Sequence, residues 1–167
     1  MVIVLMGVSG SGKTTIGTRL ASELGWPFAD GDDYHSASNI AKMRNGIPLT
    51  DADRASWLDA LRAAIAKWIR HRTSGVLACS ALKQAYREKL EAGPEVHFVL
   101  LTASPEVLRT RLRAREGHYM KEEMLQSQLA TLELPADVVV VDVSGSIAET
   151  LQQVREKLGL SRSPSLA

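Results

Sequence analysis

The sequence predicts an α/β domain of three layers, a central parallel sheet with helices on both faces. Three observations lead there. Short β-branched runs (VIVL, VLAC, VHFVLL and VVVV) alternate with longer stretches of helical period, the pattern of strands joined by crossover helices. The 167 residues, 45% of them hydrophobic, suit one core. A glycine-rich stretch, GVSGSGKTT, also interrupts the chain between its first apolar run and its first helical pattern.

In chain order, MVIVLM reads as a buried strand, and Ile16, Leu20 and Leu24 mark the helix after the glycines. A short apolar stretch leads into FADGDDYH. Thr50 and Asp53 make a capping-box-like start to a helix over 50–69, where Trp57, Leu61, Ile65 and Trp68 form one stripe. VLAC is the next strand, followed by a helix carrying Lys83 and Arg87, and VHFVLL the one after it. Ser104-Pro105 opens a further helix with proline in its first turn. VVVV reads as a buried final strand, and Ser146 and Glu149 cap a last helix bearing Ile147, Leu151, Val154 and Leu158. The domain is expected to end near residue 160, with 161–167 as a flexible tail of small polar residues.

Composition removes several function classes. Twenty Lys and Arg against 19 Asp and Glu leave a formal charge of +1, too little to draw nucleic acid or an anionic membrane. No run approaches the roughly 18 apolar residues of a membrane helix, and no basic leader precedes MVIVLM. The single cysteine, Cys79, can neither close an internal disulfide nor complete a thiol metal cluster, so a cytoplasmic location is expected.

Gly7, Gly12, Lys13 and Thr14 satisfy G-x-x-x-x-G-K-[ST] between a strand and a helix. Glycines there let successive N–H groups turn inward, so Gly7, Ser9, Gly10, Ser11, Gly12, Lys13, Thr14 and Thr15 are expected to cradle the phosphates of a nucleotide at the positive end of a helix. Lys13 would pair with the β- and γ-phosphates, and Thr14 would offer its hydroxyl to Mg²⁺. A ligand-free glycine turn requires neither residue. No N-K-x-D string, which a guanine switch would need, occurs. VVVVD resembles a metal-holding strand end, but so near the C-terminus Asp142 is read as structural.

In FADGDDYH, Asp30 and Asp32 stand at i and i+2, which on an extended segment projects both carboxylates to one side. One can take a hydroxyl proton while the other holds Mg²⁺ through water. The alternative is a solvated acidic turn with Asp33 or Ser36 as a helix cap. Lys83 and Arg87, four apart on one helix face at the sheet's carboxyl edge, could clamp an anion. Cys79 and Ser80 end a strand at that edge.

GVSGSGKTT, DGDDYHSASNIAKMRNGIPLTDADRASWL, CSALKQAYREKL, RLRAREGHYM and SQLATLELP, in that order, resemble gluconokinase, the P-loop kinase of D-gluconate. The resemblance runs from about residue 2 to residue 143. It implies a nucleoside-monophosphate-kinase-like α/β/α fold with a mobile helical lid at about 115–124, ATP and Mg²⁺ as cosubstrates, and 6-phosphogluconate as product. Members are often homodimers. In similar kinases the segment holding Lys42, Arg44, Asp53 and Arg54 covers the acceptor; Arg44 alone reads better as an exposed charge. Arg111 is assigned to the adenine side and Arg115 to the phosphates as a lid arginine, with Gly117 as a hinge and His118 near the closing site.

These readings combine into one expectation. Asp32 orients and deprotonates the gluconate hydroxyl, and Lys13 and Arg115 stabilise the transferring phosphoryl. Thr14 and Asp30 serve the metal, while His35, Lys42, Arg54, Lys83 and Arg87 line the acceptor side. The rivals are a related kinase for shikimate or a nucleoside monophosphate, and a protein that senses ATP without transferring phosphate.

Overall fold

A computed structural model describes residues 1–114 and 121–160, the side chains of 121–123 excepted. Strand β1 (Val2–Met6) is buried along its whole length and leads through the glycine loop into α1 (Lys13–Leu24). β2 (Phe28–Asp30) runs into a 3₁₀ turn over Gly31–Tyr34, then α2 (Ala37–Arg44) and α3 (Asp51–Arg70). There follow β3 (Gly75–Ala78), α4 (Gln84–Leu90), β4 (Val96–Thr102) and α5 (Pro105–Arg113). α6 (Lys121–Thr131), β5 (Val139–Asp142) and α7 (Ile147–Leu158) complete the domain.

The five strands lie in the order β2-β3-β1-β4-β5, every neighbouring pair parallel. Strand alternation divides the core into two layers. Val2, Val4 and Met6 face one side, packing with Trp57, Leu61 and Ile65 of α3 and Leu90 of α4. Ile3 and Leu5 face the other, with Ile16 and Leu20 of α1 and Leu151 and Val154 of α7. Leu61 and Ile65 are fully buried, each removal from water stabilising the fold by about 1.5–3 kcal/mol. This stripe is the one the sequence period marks in the long helix. Thr50 caps α3 in a reciprocal box with Asp53, Ser146 caps α7 in another with Glu149, and Ser104 caps α5 with Pro105 in its first turn.

The final strand departs from expectation. β5 is a sheet edge and only Val141 within it is buried, because β4 covers one side of the strand and, among the described residues, no strand covers the other. Among the described residues no helix is long and apolar enough to cross a membrane. Residues 115–120 and the tail 161–167 lie outside the described residues, taking Arg115, Gly117, His118 and most of the expected lid with them.

Candidate active site

The carboxyl ends of the parallel strands open on one edge, where ligands of such sheets bind. β1 delivers the glycine loop there. Gly7 has φ 141°, and a Cβ on it would stand 2.6 Å from the Leu101 carbonyl oxygen, so only glycine lets the loop pass β4 this closely. Gly12, at φ 86°, caps α1 without any side-chain acceptor, and the first turn of α1 holds no acidic residue. The positive end of the helix is therefore left for an anion from outside the chain. Ser11 is fully buried inside the loop with its hydroxyl oxygen unpartnered. Lys13 arches back over the loop, its Nζ donating to Gly7 O at 2.9 Å and Val8 O at 3.1 Å.

Beside this loop lies a cleft of about 240 Å³ lined by Gly10, Ser11, Gly12, Thr15, Arg111 and Val143 among others. Arg111 is held at its rim by a hydrogen bond from Nη2 to the Val143 carbonyl. The sequence-predicted residues of the nucleotide side that are described thus come together, while Arg115 lies outside the described residues. Asp142, two strands from β1 on the sheet edge, is exposed and accepts from the Ser144 N–H at 2.7 Å, a turn-closing role. Cys79 is buried, and burial pushes its thiol up to about 12, which makes it inert packing.

Asp30 and Asp32 do not share an extended segment as expected, because β2 ends at Asp30 and Asp32 sits in the 3₁₀ turn. Asp30 caps that turn. Its Oδ1 accepts from the Asp32 N–H at 3.0 Å, and its Oδ2 from the Thr14 hydroxyl at 2.6 Å. No hydrogen bond among the described residues engages the Asp32 carboxylate. Asp32 keeps an exposed face, yet the surrounding protein still desolvates its carboxyl. That desolvation, joined by the Asp30 charge, raises its pKa above the ordinary carboxylate value, against the pull of Lys13 and His35. The acidic pair is thereby split into one fixed carboxylate and one available carboxylate.

Trp57 of α3 donates its indole N–H to Gly31 O at 2.7 Å and carries His35 stacked on its ring, centroids 4.5 Å apart. Burial, reinforced by the Arg54 charge and opposed by Asp32, lowers the His35 pKa, so the imidazole is neutral near pH 7. Its Nδ1 is buried without a partner.

The cations expected on the acceptor side divide into two groups. Lys42 pairs with Asp53 at 2.6 Å, and Lys83 with Asp51 at 2.9 Å. Arg54 donates from Nη1 to Leu49 O at 2.7 Å and to the Tyr86 hydroxyl at 3.4 Å. Tyr86 in turn donates to Asp51. Arg87 corrects the sequence reading. Lys83 lies before α4, as its N-cap, so the two do not share a helical face. Arg87 is only 4% exposed, its guanidinium donating to the carbonyls of Ala81, Leu82 and Glu133 and to Gln84 Oε1. It is a brace for the loop after β3, where Ala81 holds φ 41°, rather than an open anion clamp.

Three contacts have no counterpart in the sequence reading: Trp57 to Gly31, Tyr86 to Asp51, and Gln128 of α6 to the Ser9 N–H at 2.6 Å. Only the last had a local signal. Gln128 shares a helix face with Leu125, Leu129 and Leu132 by the i, i+3, i+4, i+7 rule, a polar side chain on an apolar stripe.

Residues 2–135 match a family described as an AAA domain. The chain is 44% identical to thermosensitive gluconokinase of Escherichia coli (strain K12), covering 92% of this chain and 84% of that protein. It is 48% identical to gluconokinase of Gluconobacter oxydans (strain 621H), covering 86% and 82%. The crystal structure of a gluconokinase from Sinorhizobium meliloti 1021 superposes with a TM-score of 0.83 at 45% identity, covering 94% of this chain and 90% of that one.

Proposed function

Because this chain belongs to the gluconokinase family, we infer that it transfers a phosphoryl group from ATP to gluconate, giving 6-phosphogluconate. The observation that carries the chemical assignment is the split acidic pair. Asp30 is occupied by Thr14 and the turn, while the Asp32 carboxyl has a raised pKa and its oxygens have no hydrogen-bond partner among the described residues.

The residues fit a nucleotide and its metal. The glycine loop presents an uncapped helix end and a buried, unpartnered Ser11 hydroxyl, and Thr14 with Asp30 offers the hard oxygen donors that Mg²⁺ prefers. No group of three His, Cys, Asp or Glu side chains among the described residues could hold a metal by itself, which suits an ion that keeps several waters and arrives with phosphates. Bound there, Mg²⁺-ATP supplies the phosphoryl group and neutralises its developing charge.

The chain's own residues do the rest. Gly7 to Thr15 bind the phosphates, with Lys13 exchanging its loop carbonyls for phosphate oxygens, and Arg111 walls the adenine side. Asp32 accepts the proton of the attacking gluconate hydroxyl, and neutral His35 offers Nε2, the ring nitrogen that is not buried, to another hydroxyl. Arg54 meets the acceptor carboxylate first, since Lys42 and Lys83 are already paired with Asp53 and Asp51. Arg115 is proposed as the second cation on the transferring group.

ADP production with gluconate, glucose, shikimate and AMP at equal concentration tests this reading. Gluconate should lead neutral acceptors by roughly 30- to 1,000-fold in catalytic efficiency, the cost of leaving a cation unpaired. Preferred turnover of shikimate or AMP would overturn the substrate, and no acceptor-dependent ADP would indicate a sensing protein.

A further inference from the structure

We propose that Gln128 is a positioning residue of the nucleotide site, its carboxamide oxygen pinning the apex of the glycine loop through the Ser9 N–H. The proposal rests on the loop being the ATP cradle.

The bond is short, 2.6 Å, and joins residues 119 apart in sequence. It is a built contact, because the chain just past Gln128 is fixed as α6 ends. Glu133, two residues past the helix, donates its N–H to Leu82 O at 2.9 Å and accepts from Arg87 Nη2 at 3.0 Å. Its carboxylate accepts from the Gln84 N–H. One turn before Gln128, the fully buried Leu125 packs with Val8 of the loop and with Leu82, Leu108 and Leu112. The helix is thereby anchored on the loop after β3 and reaches across to the loop after β1. Those two loops also meet directly, Gly7 N–H donating to Ser80 O at 3.2 Å.

The chemistry suits a neutral acceptor. Ser9 lies between Gly7 (φ 141°) and Gly10 (φ 84°), both in conformations that ordinary residues rarely adopt. Left to itself, a stretch so rich in glycine would sample many backbone states, and each would misdirect the N–H groups meant for phosphate. An acceptor fixed on a packed helix selects one of them before ATP arrives. Glutamine does this without charge, whereas a carboxylate at the same place would set a negative group beside the incoming phosphates.

Two substitutions separate positioning from packing. Gln128→Met keeps length and apolar volume but removes the acceptor, and should raise KM for ATP about 2- to 13-fold, the range for one lost hydrogen bond. KM for gluconate should stay within twofold and Tm within about 3 °C. Gln128→Glu restores an acceptor for Ser9, so the ligand-free protein should melt at or above the wild-type temperature. Its KM for ATP should rise further than that of the Met variant, with the excess shrinking as salt is increased. The inference is overturned if Gln128→Met leaves KM for ATP within twofold, or if both substrates weaken together as Tm falls, which is the signature of packing alone. A wild-type protein that transfers no phosphate at all would instead overturn the kinase reading on which the proposal rests.

Discussion

His35 and Trp57 lie face to face, centroids 4.5 Å apart and planes within 7° of parallel, so α3, a core helix, sets the orientation of an acceptor-side imidazole. The indole is fixed by its bond to Gly31 O and is itself buried. The imidazole has little freedom left, and the proposed hydroxyl contact is therefore preorganised.

Replacing His35 with Phe keeps the stacked ring and removes the ring nitrogens. KM for gluconate should rise about 2- to 13-fold, the span for one hydrogen bond, with KM for ATP unchanged. The folded imidazole has a lowered pKa through burial, so the unfolded chain binds more protons below about pH 6.5. The wild type should therefore lose stability as pH falls from that value toward the lowered one, and the variant should lose less. A rise in KM for ATP alone would move His35 to the nucleotide side.

Asp32→Asn should lower kcat by roughly 10²- to 10⁴-fold, the range for a lost general base, while ATP affinity changes little. Its stability effect has the opposite sign. The folded carboxyl has its pKa raised, first by desolvation and then by Asp30, so the folded protein holds the proton more tightly. Stability then falls as pH climbs from the ordinary aspartate value through the raised one, and at pH 7 the ionised carboxylate is a net cost. Thermal melts at pH 7 should place the Asn variant above wild type, with the gain vanishing in acid. An Asn variant that loses ATP affinity instead would make Asp32 a metal residue.

Arg87→Met removes a buried guanidinium and leaves the carbonyls of Ala81, Leu82 and Glu133 without their donor. Leaving buried acceptors unpaired costs about 1–3 kcal/mol, or a fall in Tm of roughly 2–12 °C at this chain length. KM for gluconate, measured well below the melting temperature, should move far less than in Arg54→Met. If Arg87→Met melts normally and loses gluconate affinity, the guanidinium is a substrate clamp after all.

By itself the sequence determined most of the elements, α2 and α6 excepted, and the phosphate cradle, since these are local. Strand alternation in VIVL, the Trp57–Leu61–Ile65 stripe, the Thr50 and Ser146 caps and the glycine-lysine spacing of the loop all act within a few residues of one another. What each polar side chain faces was decided only by tertiary structure, because those partners lie far apart in the chain. Asp30 and Asp32 look equivalent in DGDD until Thr14, from another element, occupies one of them. Arg87 looks like Lys83 until the turn at Ala81 places carbonyls around it and draws it inside. VVVV looks like an inner strand until the sheet order leaves it at the edge. Gln128 shows only as a polar interruption of an apolar face until the packing of Leu125 brings it to Ser9. A hydrogen bond depends on position to within a few tenths of an ångström, and only the assembled core fixes position that finely.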